Sequence, residues 1–315
     1  MTGETNVVVH VGLPKTGSTA LQEDFFSRIP DCTFLTHGGL KRGGVFNALA
    51  HDMIVADDGD YPRATARAYF AEVAPRRPLL LVSHESLSGA YLKGSPGRER
   101  SFDRLQDALP QARVLLFVRN QATMVPSLYS EHLRRGGYSS FADYCRGTAP
   151  EYAFDPDRLH YDELLDACRS RFGADRVLVL AHEQLVHERE ATLASILEFL
   201  RPGLSQAGLA SSLGRRNRSL SSRGRTVVRH TNRLFVRSSV NPRPAVAPVP
   251  GGRKLVQAFS EVVDPLLAKA PGGVNGAAQE PALTELLVRY EASNARFEAE
   301  SGLPIGTWGY PLPRR

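Results

Sequence analysis

Between Lys15 and Thr19 the chain sets an ammonium group, three hydroxyls and a glycine in five consecutive residues: Lys15, Thr16, Gly17, Ser18 and Thr19. That is the equipment of an oxyanion site, with donors to surround the ligand and a fixed charge to balance it. Arg119 and Ser127, eight positions apart, offer a second such site. A guanidinium forks onto a phosphate, and a serine near a helix start adds a donor. His84 and Glu85 are adjacent candidates for moving a proton, and in extended backbone they point to opposite faces. The three cysteines lack metal-ligand spacing, and the strand ends at Glu85 and Arg119 carry no metal-holding Asp, so no catalytic metal is expected.

Each candidate follows an apolar run of strand length. Val7–Val11 precedes the lysine loop, Leu79–Val82 precedes His84, and Arg113–Val118 precedes Arg119. Such runs mark parallel strands buried on both faces. A fourth is Arg176–Leu180, while Cys32–Leu35 reads only as a short apolar patch. Helical patterns fall at Thr19–Phe26, Phe46–Val55, Pro62–Ala74, Phe102–Leu109, a stretch ending at Arg135, Phe141–Arg146, Arg158–Phe172 and Arg189–Leu200. Strands alternating with helices specify an α/β fold, a parallel sheet flanked by helices. Ligands bind such sheets outside the carboxyl ends of the strands, where these candidates fall. Pro126 requires the helix around Ser127 either to begin near Val125 or to kink. Lys93–Arg100 reads as a mobile loop or lid.

The strand, loop and helix around Lys15 aim free backbone N–H groups and the positive end of a helix dipole at one point. The loop is not a Walker A motif, because Lys15 precedes Gly17 and no Gly-Lys-Ser/Thr follows. Pro14-Lys-Thr-Gly-Ser-Thr-x-Leu-Gln22 resembles the 5′-phosphosulfate loop of sulfotransferases that use 3′-phosphoadenosine 5′-phosphosulfate (PAPS), closest to the bacterial, carbohydrate-type branch. Arg119-x-Gln-x5-Ser127-x-Tyr129 resembles the same family's 3′-phosphate site. The resemblance implies a P-loop-like α/β fold with helical insertions and a helical C-terminal part. It implies that PAPS is the co-substrate, that Lys15–Thr19 hold its 5′ side, and that Arg119 and Ser127 hold its 3′-phosphate. Lys15 would meet the leaving oxygen, where preorganised positive charge supplies the largest catalytic term. Carbohydrate sulfotransferases typically use a glutamate base and the cytosolic small-molecule branch a histidine, which favours Glu85 over His84. Arg-x-Asn-x-Ser within Gly214–Ser219 is similar to the late region that closes over the donor in bacterial members, assigning Arg216 and Asn217 to the nucleotide. Tyr290, Asn294, Phe297 and Trp308-Gly309-Tyr310 look like the end of such proteins, with packing roles for the aromatics.

The 315 residues suffice for one domain, with a core over 5–200, a basic helical and proline-rich section over 205–251, and C-terminal helices over 252–315. The net charge of +6 hides an asymmetry: Phe199–Ser260 has no Asp or Glu but eleven Arg and one Lys. Arg225, Arg229, Arg233 and Arg237 recur every four residues, so a helix would present one slowly winding stripe. The stripe is either a solvated face or a docking surface for an anionic acceptor, such as an acidic polysaccharide or lipid head group. No apolar run is long enough to span a membrane, the start lacks a signal peptide, and three cysteines fit reduced thiols, so a cytoplasmic location is expected.

Two rival functions remain at this level. A magnesium-dependent P-loop kinase or nucleotidase would bind ATP through one chain of phosphates. A nucleic-acid-binding module would use the basic section and bind with steep salt dependence. Neither accounts for two separated anion sites, and nucleic acid is the weaker of the two.

Overall fold

The computed structural model describes residues 5–37, 44–89, 97–149, 154–204, 220–246, 249–264 and 280–314. Five parallel strands form one sheet: β1 (Asn6–His10), β2 (Cys32–Thr36), β3 (Leu79–Ser83), β4 (Arg113–Val118) and β5 (Val177–Ala181), in the order β2-β3-β1-β4-β5. The sheet holds one strand more than the apolar runs identified. Cys32–Thr36 pairs with β3 from Cys32 opposite Leu79 to Thr36 opposite Ser83. As an edge strand, β2 needs a hydrogen-bonding neighbour rather than a fully apolar sequence, so its Thr33 and Thr36 hid it.

Period-two alternation splits the strand residues between two cores. Val7, Val9, Leu80, Val82, Val114, Leu116 and Val118 face one, while Val8, Leu79, Leu81, Leu115 and Phe117 face the other. The second face is covered by α1 (Ser18–Ala20), which runs on through a π-helical turn at Leu21–Phe25, and by the later helix at Arg189–Leu200. The first face carries α2 (Val45–Val55), α3 (Arg63–Val73), α4 (Arg98–Ala108), α5 (Gln121–Arg134), α6 (Phe141–Arg146) and α7 (Tyr161–Phe172). Beyond β5 come α8 (His182–His187), α9 (Arg189–Leu200), α10 (Ser222–Phe235), α11 (Gly252–Ala258) and α12 (Pro281–Ser301). The last of these returns to pack on α7, α6 and α5, and its Leu283, Tyr290 and Phe297 join the first core.

Two local expectations change. The helix holding Ser127 begins at Gln121, capped by the Asn120 side chain on the Ala122 N–H, so Pro126 lies in its interior rather than its first turn. The proposed lid is helical at Arg98–Arg100, and residues 90–96 lie outside the described set. Arg98 is buried there, donating to the carbonyls of Arg158 and His160. Among the described residues no helix is long and apolar enough to cross a membrane.

With this strand order the chain leaves β1 toward one edge of the sheet and β4 toward the other. The carboxyl ends of β1 and β4 therefore border the crevice where such sheets bind ligands. Lys15 follows the first strand and Arg119 the second.

Candidate active site

The loop from Gly12 to Gly17 is shaped by its neighbours as much as by itself. Pairing continues beyond β1, with the Val11 N–H on Leu115 O (3.1 Å) and the Leu13 N–H on Phe117 O (3.3 Å). Gly12 has no room for a side chain, since a Cβ there would meet His10 Nε2 at 2.7 Å. The Thr16 hydroxyl turns inward to Leu13 O (2.6 Å) and is fully buried, so it braces the loop rather than facing the crevice. Both Lys15 (φ 67°) and Gly17 (φ 93°) are left-handed. For Lys15 that conformation costs about 1 kcal/mol, and local strain of this kind gathers at ligand sites. Gly17 begins α1 with no side-chain cap, leaving the first helical N–H groups available to an anion.

Three other strand ends are tied to this loop. After β4, Arg119 Nη1 donates to Lys15 O at 2.6 Å, while its Nε donates to Thr123 Oγ1 at 3.0 Å. After β3, Glu85 Oε2 accepts from Ser18 Oγ at 2.8 Å. After β5, His182 Nδ1 lies 2.9 Å from Thr16 O and packs against Gly17. Burial, reinforced by Arg119, pushes the His182 pKa down, so its ring is neutral at neutral pH. Ser127 is buried on α5, one turn before Glu131 and on the same helix face. Glu131 Oε2 in turn meets Lys15 Nζ at 3.1 Å. Lys15, Ser18, Arg119 and Glu85 are thus tied together at the carboxyl ends of β1, β3 and β4, with Gly17 beside His182, Ser127 one turn from Glu131 and Thr19 half-buried in the first turn of α1. Arg216 and Asn217 lie outside the described residues.

The two candidates for the base differ in their hydrogen bonds. His84 Nδ1 accepts the Ser86 N–H at 3.3 Å, which leaves the proton of a neutral ring on Nε2. Burial, with His37 beside it, lowers its pKa to about 4. His84 is therefore a neutral donor, its ring edge-on to His37 at 5.2 Å. Glu85 carries no such encumbrance, since its carboxylate accepts from Ser18 and keeps free lone pairs. His10 is structural: it is fully buried, bonded to Ser83 Oγ at 2.7 Å, and its pKa is lowered to about 3 by burial.

The turn after β4 is braced from several directions. Its Asn120 N–H donates to Glu183 Oε1 (3.1 Å), and the Asn120 amide donates to Trp308 O (3.0 Å). Tyr310 OH donates to Glu183 Oε2 (2.9 Å), Tyr161 OH to Arg119 O (2.5 Å), and Gln121 exchanges hydrogen bonds with Asn294. The C-terminal aromatics thus pack, as the sequence implied, and also hold the arginine's backbone. Glu131, His182, Glu183 and Tyr161 were not picked out by sequence. Two signals could have found the first three: Glu131 falls one helical turn after Ser127, and His182-Glu183 occupies a strand's carboxyl end.

The basic stripe is only partly a surface. Arg225 is buried over the Phe141 ring (5.4 Å), so it cannot belong to a docking face. A four-residue spacing advances about 40° per step on a helix of 3.6 residues per turn. The stripe accordingly winds from buried Arg225 through half-buried Arg229 to exposed Arg233. Arg237 is exposed but lies past the end of α10. The buried side of α10 is fixed to α5 by Asn232, which donates to Leu133 O (2.6 Å) and Gly137 O (2.8 Å).

A family model described as "Sulfotransferase family" matches residues 8–205. No curated protein matches the chain. Among solved structures, a sulfotransferase from Alicyclobacillus acidocaldarius aligns over 97% of this chain and 99% of its own, at 15% identity and a TM-score of 0.55, a likeness of fold. Mouse sulfotransferase SULT7A1, complexed with PAP, covers 94% of this chain and 89% of its own at 14% identity and a TM-score of 0.44. The sulfotransferase domain of the Synechococcus PCC 7002 olefin synthase covers 82% and 96% at 16% identity and a TM-score of 0.37.

Proposed function

The chain belongs to the sulfotransferase family, and we propose that it moves a sulfuryl group from PAPS to a hydroxyl of a carbohydrate or other small or anionic acceptor. The observation that carries this reading is the 2.6 Å contact between Arg119 and the Lys15 carbonyl. It ties the Lys15 loop to the turn after β4, which supports reading the two as grips on one nucleotide phosphorylated at both ends of its ribose. The Lys15 loop and the uncapped start of α1 would take the 5′ phosphosulfate, and Arg119 with Ser127 the 3′-phosphate. The residues fit that ligand: α1 leaves helix-start donors uncapped, and each grip holds a cation.

When bound, PAPS supplies an activated sulfuryl group and a good leaving group. Glu85 would take the acceptor's proton, being one hydrogen bond from the start of α1. Lys15 would balance charge on the departing oxygen. His84, a neutral donor just before the 3-10 turn that begins at Glu85, would orient the acceptor. We treat 1–315 as a single catalytic unit of the cytoplasm. An anionic acceptor, a glycan or lipid head group, would dock on Arg229, Arg233 and Arg237; changing Arg229 and Arg233 to Gln should flatten the salt dependence of acceptor binding.

The test is transfer itself. PAPS with a panel of hydroxyl acceptors should yield adenosine 3′,5′-bisphosphate and a sulfated product without added metal. Glu85→Gln should lower kcat at least about a hundredfold, the range of a lost general base, while leaving bisphosphate affinity near the parent's. A protein that instead hydrolyses ATP with magnesium and ignores PAPS would refute the proposal.

A further inference from the structure

The Lys15 ammonium faces a carboxylate that no sequence motif singles out. Glu131 Oε2 lies 3.1 Å from Lys15 Nζ, and the pair is largely shielded, with side-chain exposures of 20% and 25%. Glu131 sits one turn after Ser127 on α5, so it projects between the two anion grips. Its other oxygen, Oε1, takes Arg135 Nε at 3.1 Å, and Arg135 is 57% exposed. Burial alone would raise the Glu131 pKa, but Lys15 and Arg135 outweigh it and hold the carboxyl below its usual range. It is therefore an anion at neutral pH.

We infer that Glu131 is a resident counter-anion: it occupies the Lys15 ammonium in the ligand-free protein, and the donor's 5′ group must displace it. This inference rests on the reading of the Lys15 loop as the 5′ grip. Binding becomes an exchange of one anion for another, so the Lys15 charge contributes less affinity than a free lysine would. Arg135 makes the exchange cheap, because the displaced carboxylate keeps one partner instead of being stranded in a shielded site. On product release the carboxylate returns to Lys15, which speeds departure of a tightly gripped bisphosphate. A positioning role predicts the opposite sign: if Glu131 merely propped Lys15 in place, removing it would weaken binding.

The experiment is a calorimetric titration of adenosine 3′,5′-bisphosphate and of ADP into the full chain and its variants. Glu131→Gln should tighten both ligands about tenfold, the scale of one well-shielded ion pair. Arg135→Gln, which leaves Lys15 as the carboxylate's only cation in this cluster, should weaken both about threefold. The double variant should bind as tightly as Glu131→Gln rather than as weakly as Arg135→Gln, since the carboxylate that both cations share is gone. Should Glu131→Gln unfold the protein, Glu131→Asp, whose shorter arm loosens the pair, should tighten binding by a smaller factor. Unchanged or weaker binding in Glu131→Gln or Glu131→Asp overturns the inference. If ADP tightens while the bisphosphate binds no variant, the counter-anion stands and the PAPS reading falls. If neither ligand binds any variant, both fall.

Discussion

The two anion grips are built in opposite ways. The turn after β4 is held from four places: by the side chains of Glu183 on α8, Tyr161 on α7 and Asn294 on α12, and by the Trp308 carbonyl in the C-terminal segment. The loop after β1 has a lysine in a left-handed conformation, and the Glu131 carboxylate balances its charge among the described residues. One grip is fixed before the ligand arrives and the other is poised to exchange partners. The division suits a ligand that is anchored at one end and reacts at the other, since preorganisation lowers the cost of binding while the reacting end must also release product.

The largest expected effect breaks the poised side. Lys15→Met removes the charge proposed to balance the leaving oxygen and should reduce kcat by about a hundred- to a thousandfold, the usual loss for one electrostatic donor. Single-turnover kinetics with PAPS would measure it. Breaking the fixed side should read out mainly as affinity and stability. Glu183→Ala leaves the Asn120 N–H and Tyr310 OH without their acceptor, which should cost about 1–3 kcal/mol of folding stability in urea titration. Nucleotide KM should rise while kcat changes little. Tyr310→Phe, losing one hydrogen bond to the same carboxylate, should cost about 1 kcal/mol with the same KM signature.

Gly17→Ala sharpens the contrast on the loop side. The substitution forces a Cβ into φ 93°, 3.4 Å from His182 Nδ1, and should cost about 1–2 kcal/mol while weakening donor binding. A last effect concerns pH. His10 is neutral in the fold with its pKa near 3, and His84 with its pKa near 4, against 6.5 for either when unfolded. Below pH 6.5 the unfolded chain binds those protons and the folded one does not, so stability falls as pH drops toward 4. Each histidine contributes about 1.4 kcal/mol per pH unit at most. Urea midpoints at pH 7.5 and 5.0 would show the decline, and His10→Asn should reduce it.

Much of the fold was legible because its core strands are buried on both faces and read as uninterrupted aliphatic runs. β2 was not, because an edge strand with Thr33 and Thr36 has no such signal. Among site residues, Lys15, Glu85 and Arg119 stood out as charged groups directly after strands. Glu131 and Tyr161 did not, since a carboxylate or a tyrosine on a helix acquires meaning only when distant segments meet. The stripe from Arg225 to Arg237 misled for a related reason. Spacing gave its winding, but only packing against Phe141 revealed which end was buried.

The most direct measurement compares adenosine 3′,5′-bisphosphate with AMP, which lacks the 3′-phosphate, on the parent protein and on Arg119→Ala. If the two grips hold opposite ends of one nucleotide, the parent should prefer the bisphosphate by about a hundredfold, a charge-assisted grip of roughly 1.5–3 kcal/mol. Arg119→Ala should then bring the two ligands close to parity. Equal weakening of both ligands by Arg119→Ala, with the preference intact, would place the 3′-phosphate elsewhere and contradict the account.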